Sequence, residues 1–222
     1  GGTVRLGAAV SRIDAGPAGD LKVVLQSGER LAASAVICAV TPRDLRPILP
    51  PSLKGLQASL RSYRPSPILS VNLWFDRPVL DVPMLGMLGT TMDWAFDRCV
   101  LHHRKNAGPP YLVTLVASAA DALSEQSRDV LATEALNDLE RVCSRAARAR
   151  LLRSRVVRQP LATSSLPPGI TPPHHHTSLP GLFLSGDWTD TGLPATVESA
   201  VLSGHRAAEA VRAHLEGTAD PV

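Results

Sequence analysis

The stretch LFLSGDWTDTGLPATVESAV, residues 182–201, decides the fold. Its apolar start is typical of a strand that is buried on both faces, and Gly186 lets the backbone turn sharply after that strand. Asp187 would then lie at the carboxyl end of the strand, which is the edge where open α/β sheets bind ligands. A carboxylate at this edge can accept hydrogen bonds from ribose-like or ribityl hydroxyls. The stretch therefore predicts a strand, an acidic turn and a ligand site.

A helix is predicted to follow this turn, from Ala195 to Ala213. Pro194 suits the first turn of a helix, because it has no amide hydrogen to lose. The helical spacing is carried by seven small or apolar residues: Val197, Ala200, Val201, Gly204, Ala207, Ala208 and Val211. The free amides of Ala195 to Val197 would point at a ligand beyond Asp187.

The order GDWTDTGLPAT over residues 186–196, followed by Glu198 and Ser203-Gly204, resembles the carboxyl-terminal flavin motif of the squalene-associated FAD-dependent desaturases. These hydroxysqualene dehydroxylases belong to the amine oxidase and phytoene desaturase superfamily. The resemblance implies that FAD is the cofactor and that Asp187 holds its ribityl chain. A helix start stabilises the negative charge that reduced flavin gathers.

The same resemblance assigns further residues to the cofactor site. The amides of Thr196 and Val197 would face the flavin. The assigned set is Gly186, Asp187, Pro194, Ala195, Thr196 and Val197. The alternative is a strand, turn and helix without a ligand, in which Asp187 or Thr191 only caps the helix.

The first forty residues predict a small antiparallel sheet. Strands are expected at Thr3 to Leu6, Ala8 to Ile13, Leu21 to Gln26 and Leu31 to Val40, with Gly-rich turns between them. In the resembling family such an excursion returns to the FAD sheet. The resemblance therefore implies that the Val10 backbone lies against the adenine and that Ala39 to Pro42 mark the return. A three-stranded unit with no ligand explains the sequence equally well.

The run from Ser66 to Pro78 predicts a long strand with two different faces. One face is core-like and contains Leu69, Val71, Leu73 and Phe75; the other contains Ile68, Ser70, Asn72 and Trp74. The mixed polar and aromatic face could line a cavity, and this run resembles the substrate domain of the desaturases, as does Trp94 to Arg98. Asn72 and Trp74 are the candidate substrate-binding residues, with ordinary sheet packing as the alternative.

The remaining elements complete a mixed α/β (α+β) fold. A strand is expected at Tyr111 to Ser118, an amphipathic helix at Arg128 to Arg145 and a strand at Leu151 to Thr163. We expect a partial FAD-binding Rossmann-like domain of the amine oxidase type with an inserted mixed-sheet substrate domain. The expected parts are residues 1–45 (FAD-binding), 46–160 (substrate-binding) and 161–222 (carboxyl-terminal FAD-binding strand and helix).

Composition narrows the function classes. The three cysteines are far apart in the sequence, and three adjacent histidines in a proline-rich loop, His174 to His176, cannot easily converge on one ion, so no metal site is expected. The arginine-rich run from Arg145 to Arg158 has no reading helix or aromatics beside it and the formal charge is only +3, which argues against nucleic acid. A solvated face, or contact with anionic lipid, is expected there. We expect a cytoplasmic protein that is soluble or peripheral to the inner membrane.

The resemblance sets the functional expectation. It implies an FAD-dependent oxidoreductase that acts on a long isoprenoid lipid, reducing hydroxysqualene to squalene in bacterial hopanoid synthesis. A carotenoid (phytoene-type) desaturase is one alternative. Because the sequence contains no GxGxxG, we expect an amino-terminal FAD-binding part that is missing from the chain, and a non-catalytic fragment that needs a partner with this loop is another alternative. No residue stands out as a catalytic acid, so none is assigned.

Overall fold

The computed structural model describes residues 2–16, 20–103 and 108–217. The chain forms two compact units, the first comprising Gly1–Arg64 and Thr163–Val222 and the second Pro65–Ala162. Residues 46–64 thus belong to the first unit, where Leu49, Leu53 and Leu60 are buried in its core. The sequence placed the first boundary at residue 45. The assignment of cofactor and substrate roles to these units stays a prediction.

Ten strands and five α-helices are formed by the described residues. The strands are β1 Val10–Ala15, β2 Leu21–Leu25, β3 Arg30–Ala33, β4 Val36–Cys38, β5 Arg64–Phe75, β6 Met84–Gly86, β7 Trp94–Asp97, β8 Tyr111–Ala117, β9 Leu151–Ser165 and β10 Leu182–Leu184. The helices are α1 Pro42–Leu45, α2 Lys54–Ser59, α3 Arg98–Leu101, α4 Arg128–Val142 and α5 Val197–Glu216. The mixed α/β class is confirmed. None of the described helices combines the length and the hydrophobicity that crossing a bilayer requires.

The first unit contains two separate sheets. Strands β1, β2 and β3 form the predicted antiparallel sheet in that order. The single strand predicted from Leu31 to Val40 is wrong, because it is divided into β3 and β4, which belong to different sheets. Strands β4 and β10 pair in parallel, with Leu184 opposite Cys38, and β10 is buried on both faces as its apolar sequence predicts. The strand predicted at Thr3 to Leu6 is wrong. Val4 and Leu6 are exposed, and an extended segment with no neighbouring strand among the described residues gains no ladder hydrogen bonds.

Helix α5 differs from its prediction in its start and its buried face. It begins at Val197, because the hydroxyl of Thr196 accepts a hydrogen bond from the Ser199 amide and caps the helix. Pro194 and Ala195 therefore lie outside the helix. The buried residues are Ser199, Ser203, Ala207, Ala210 and Ala213. Val197 is 83% exposed and Val201 is half exposed, so the predicted apolar face is wrong for these two valines.

The second unit is a five-stranded sheet with α4 against one face. The strand order is β6-β7-β8-β5-β9, and the pairs β6·β7, β7·β8 and β5·β8 are antiparallel. The predicted alternation of β5 is confirmed: Leu69, Val71, Leu73 and Phe75 are buried, while Ile68, Ser70, Asn72 and Trp74 are half-buried. The buried face packs in one core with Leu131, Ala135 and Leu139 of α4. The other face is the one that could receive a ligand.

Candidate functional site

The turn after β10 requires glycine at its first position. Gly186 has φ 150°, and a Cβ at this position would lie 2.4 Å from Nε1 of Trp188. Trp188 cannot move aside easily, since it is 4% exposed and its indole donates a hydrogen bond to the carbonyl of Val40 at 3.1 Å. This bond ties the segment after β4 to the turn after β10. The two segments that the resemblance places beside a cofactor are therefore in direct contact.

Asp187 is held with one carboxylate oxygen free. The hydroxyl of Thr163, at the end of β9, donates a hydrogen bond to Oδ2 at 2.8 Å. Oδ1 accepts no hydrogen bond from the described residues, and the side chain is half-buried. A carboxylate fixed in this way presents an oriented acceptor at the carboxyl end of a strand.

Tyr63 closes the other side of the turn. Its hydroxyl donates a hydrogen bond to the Trp188 carbonyl at 2.7 Å, and the two rings meet edge to face with their centroids 6.0 Å apart. Burial, together with the negative charges of Asp187 and Asp190, raises the pKa of Tyr63 to about 12. The phenol is therefore neutral at physiological pH and remains a hydrogen-bond donor.

Hydroxyl pairs fasten the turn to α5. Thr189 and Ser203 share a hydrogen bond of 2.7 Å, as do Thr191 and Ser199. Ser203 also accepts from the Gly186 amide at 3.0 Å. These pairs explain why two serines are buried in α5. Helical periodicity does not reveal these hydroxyl pairs. Their only signal in the sequence is spacing: Thr189 and Thr191 are two residues apart, and Ser199 and Ser203 are four residues apart.

The start of α5 leaves backbone donors without partners. The first amides of a helix have no intrahelical carbonyl to bind, and the Thr196 hydroxyl satisfies only that of Ser199. Within the described ranges, the amides of Val197 and Glu198 donate to no other group. Of the residues assigned from the sequence, Val197 therefore presents a free amide, while the interpretation of Pro194 and Ala195 as the first helical turn is wrong. Their contact with a cofactor stays a prediction.

Negative charge dominates this site. The carboxylates are those of Asp187, Asp190 and Glu198. Two basic side chains contact Asp190: His174 Nδ1 lies 3.7 Å from its Oδ2, and Arg206 donates a hydrogen bond to its backbone carbonyl at 3.1 Å. Such a site favours ligand groups that donate hydrogen bonds, such as hydroxyls, and disfavours phosphates. In the described part of the chain, no three His, Cys, Asp or Glu side chains are arranged to hold a metal ion.

Val10 lies in the antiparallel sheet of the same unit, as the first residue of β1. It is opposite Leu25 on β2 and packs against the core that contains Trp188 and Leu184. A bulge between Val10 and Arg12 interrupts the ladder at this point. The predicted contact of the Val10 backbone with adenine stays a prediction.

In the second unit, Asn72 and Trp74 belong to a half-buried aromatic face of the sheet. Thr114 donates a hydrogen bond to Asn72 Oδ1 at 2.8 Å, and the Arg153 guanidinium lies 3.9 Å from the centroid of the Trp74 ring. On β7, which is separated from β5 by β8, Trp94 and Phe96 stack with centroids 6.4 Å apart. Register places Phe96 opposite Thr114, which is opposite Asn72. We call this surface, made of Asn72, Trp74, Trp94, Phe96 and Thr114, the aromatic face.

The sequence matches the family described as flavin containing amine oxidoreductase over residues 1–212. It is 33% identical to a hydroxysqualene dehydroxylase of Rhodopseudomonas palustris over 206 residues, which are 89% of this chain and 44% of the relative. It is 24% identical to a chloroplastic 15-cis-phytoene desaturase of Glycine max over 223 residues, 95% of this chain and 39% of the relative. The chain thus spans about two-fifths of the length of these relatives.

The fold is similar to that of solved oxidases. The structure of cyclohexylamine oxidase from Brevibacterium oxydans superimposes with a TM-score of 0.65 at 16% identity, covering 93% of this chain and 48% of the oxidase. At this identity the likeness shows a shared fold alone.

Proposed function

The chain belongs to the flavin containing amine oxidoreductase family, and from this premise we propose that it forms part of an FAD-dependent oxidoreductase acting on a long isoprenoid. The observation that carries the proposal is the Asp187 carboxylate, fixed by Thr163 on one oxygen and open on the other. The proposed reaction is the reductive removal of the hydroxyl of hydroxysqualene, giving squalene. The setting is hopanoid synthesis in the bacterial cytoplasm.

The residues of the turn fit a flavin cofactor. Asp187 would accept hydrogen bonds from ribityl hydroxyls, and the free amides at the start of α5 would lie against an electron-rich part of the ring. Gly186 leaves room for the buried Trp188 side chain, which packs against the backbone of the turn. Bound FAD in its reduced form would supply a hydride to the substrate carbon, and the hydroxyl would leave with a proton as water. The acidic character of the turn and the absence of GxGxxG from the sequence both support a pyrophosphate site outside this turn.

The aromatic face is the proposed binding surface for the isoprenoid. Trp74, Trp94 and Phe96 provide large apolar areas, and Trp94 is 43% exposed, so that hydrocarbon can cover it. The hydrogen bond to Thr114 satisfies Asn72 in a water-poor setting. None of the five residues of the aromatic face is ionisable, and the Arg153 guanidinium covers one side of the Trp74 ring.

The sequence identities to the relatives favour the dehydroxylase function over the desaturase function. The squalene-associated relative is 33% identical and the phytoene desaturase 24% identical, and both matches extend over most of the chain. A phytoene-type desaturase is the second candidate, because it would use the same cofactor turn and a similar hydrocarbon in the opposite redox direction. A non-catalytic role, in which the chain binds a partner that carries the nucleotide loop, is the third.

An activity assay separates these candidates. The chain would be combined with an amino-terminal nucleotide-binding part from a relative, loaded with FAD, reduced, and given hydroxysqualene or phytoene in separate reactions. Squalene formation supports the proposal. Desaturation of phytoene by the oxidised protein supports the second candidate. Failure of the combined protein to take up FAD would refute both enzymatic functions and leave the non-catalytic role.

A further inference from the structure

A basic pocket of about 540 Å³ lies in the second unit, where the start of α4 approaches β9. We call it the arginine pocket. Its lining residues are Arg128, Asp129, Ser154, Arg155, Val156, Val157 and Arg158. Three arginines and one aspartate are among these residues, so the formal charge of the lining is positive. Its volume lies within the range of small-molecule sites.

The arginines of this pocket form no salt bridge within the described part of the chain. Five other arginines form salt bridges with carboxylates: Arg5, Arg12, Arg77, Arg141 and Arg145. Arg128, Arg155 and Arg158 form none with a described residue. Three like charges around a single carboxylate, that of Asp129, repel one another, so a further anion that enters the pocket relieves this repulsion.

Arg158 is the most constrained of the three. Its side chain is half-buried, one terminal nitrogen donates to the Gln126 carbonyl, and Nε is buried with no hydrogen-bond partner among the described residues. A partly desolvated guanidinium with an unsatisfied donor is unfavourable unless a negative charge lies nearby. The bond to Gln126 fixes the guanidinium in place, which lowers the entropy that a ligand must overcome.

We infer that the arginine pocket binds a phosphate group, either as a free phosphate compound or as the headgroup of an anionic lipid. One planar guanidinium group can donate two hydrogen bonds to two oxygens of the same phosphate. Ser154, which also lines the pocket, adds a hydroxyl donor. Asp129 weakens the attraction without reversing it, because three positive charges remain against one negative charge. The inference is independent of the flavin turn, which is acidic and belongs to the other unit.

Inorganic phosphate is the first probe. We expect saturable binding by calorimetry in low-salt, phosphate-free buffer. Arg155→Gln should weaken it about tenfold, because it removes a charged donor from the pocket. Arg148→Gln is the matched control: Arg148 is exposed, lies in the same arginine-rich run and is outside the pocket. It changes net charge equally and should alter affinity less than twofold. Arg155 is exposed, so its replacement leaves the core intact, and Arg128→Gln provides a second variant.

Vesicles distinguish the two sources of phosphate. Sedimentation with phosphatidylglycerol vesicles, compared with phosphatidylcholine vesicles, tests a lipid headgroup. Binding to phosphatidylglycerol that Arg155→Gln reduces and Arg148→Gln does not supports the lipid source, and binding of inorganic phosphate without vesicle binding supports a free phosphate compound. If neither probe binds, or if both variants weaken binding equally, the pocket is not a phosphate site. Loss of binding above about 0.5 M salt is expected in either supporting case.

Discussion

The Thr163 hydroxyl donates a hydrogen bond of 2.8 Å to the Asp187 carboxylate, which joins the end of β9 to the turn after β10 across 24 residues of sequence. The carboxylate is fixed by one oxygen and open at the other. This asymmetry is what a hydroxyl-binding carboxylate needs, since the bound oxygen sets the direction of the free one. Thr163 is a positioning residue for Asp187.

Replacing Thr163 with valine keeps the side-chain shape and removes the donor. The Asp187 carboxylate then loses its orienting bond, at a cost of about 1 kcal/mol, and affinity for FAD should fall roughly fivefold. Thr163→Ser retains the hydroxyl and should bind FAD almost as the unmodified protein does. Flavin fluorescence titration measures both. Equal affinity of the valine variant would show that Thr163 does not orient the carboxylate.

Glycine is required at position 186 and only preferred at position 192. Gly186→Ala forces a Cβ to within 2.4 Å of Trp188 Nε1 and should lower the free energy of unfolding by about 3 kcal/mol. Gly192 has φ 77° and open space around its Cβ position, so Gly192→Ala should cost about 1 kcal/mol. Urea unfolding of the two variants gives the comparison. Similar losses would mean that Trp188 gives way easily.

Alkaline pH should destabilise the first unit through two buried groups. Burial raises the pKa of Cys38 from 9.0 to about 11, and burial with nearby carboxylates raises that of Tyr63 from 10.0 to about 12. The unfolded chain releases these protons at lower pH than the folded chain does. At a pH between the two pKa values of each group the folded chain therefore binds more protons, and its stability falls as the pH rises. The stabilising contribution of Cys38 is complete below about pH 9 and is lost as the pH rises to about 11.

Urea midpoints measured between neutral and strongly alkaline pH test this dependence. The Tyr63 contribution is lost between about pH 10 and 12. In Tyr63→Phe, the urea midpoint should fall less between about pH 10 and 12 than in the unmodified protein. The phenolate absorbance of this variant should also lack the titration step near pH 12 that the unmodified protein shows. A tyrosine that titrates near pH 10 only would contradict the described burial of Tyr63.

Arg153 should stabilise the second unit through the Trp74 ring. The guanidinium lies 3.9 Å from the ring centroid at an exposed position, where a cation–π contact contributes about 0.5–1 kcal/mol. Arg153→Gln should lower the free energy of unfolding by this amount. A double-mutant cycle with Trp74→Leu isolates the pairwise term. A coupling energy near zero would show that the contact has no energetic role.

Local patterns were enough to predict the strands and their faces where the neighbours alternate regularly. The period of two in β5 predicts its buried and half-buried faces, because a sheet with one covered side sorts residues in this way. The apolar run before Gly186 predicts β10, because a strand that is covered on both faces has apolar residues at every position. These features depend on residues within a few positions of one another.

Non-local contacts explain the differences from prediction. Ser199 and Ser203 are buried in α5 because Thr191 and Thr189 supply hydroxyl partners, and no helical periodicity reveals such partners. The same pairing leaves Val197 at the exposed start of the helix. Thr163 is a partner of Asp187 because the fold brings the end of β9 beside the turn, and no local sequence pattern predicts this contact.

The affinity of the Asp187→Ala variant for FAD tests the central claim most directly. Asp190→Ala is the control, since it removes a neighbouring carboxylate that is not assigned to the cofactor and that lies 3.7 Å from the His174 imidazole. In a protein that combines this chain with a nucleotide-binding part, we expect the dissociation constant of FAD to rise about 10- to 100-fold for Asp187→Ala, from the loss of a charged hydrogen bond, and less than about threefold for Asp190→Ala. Unchanged affinity of the Asp187 variant, or equal losses for both variants, would contradict the assignment of Asp187 to the flavin.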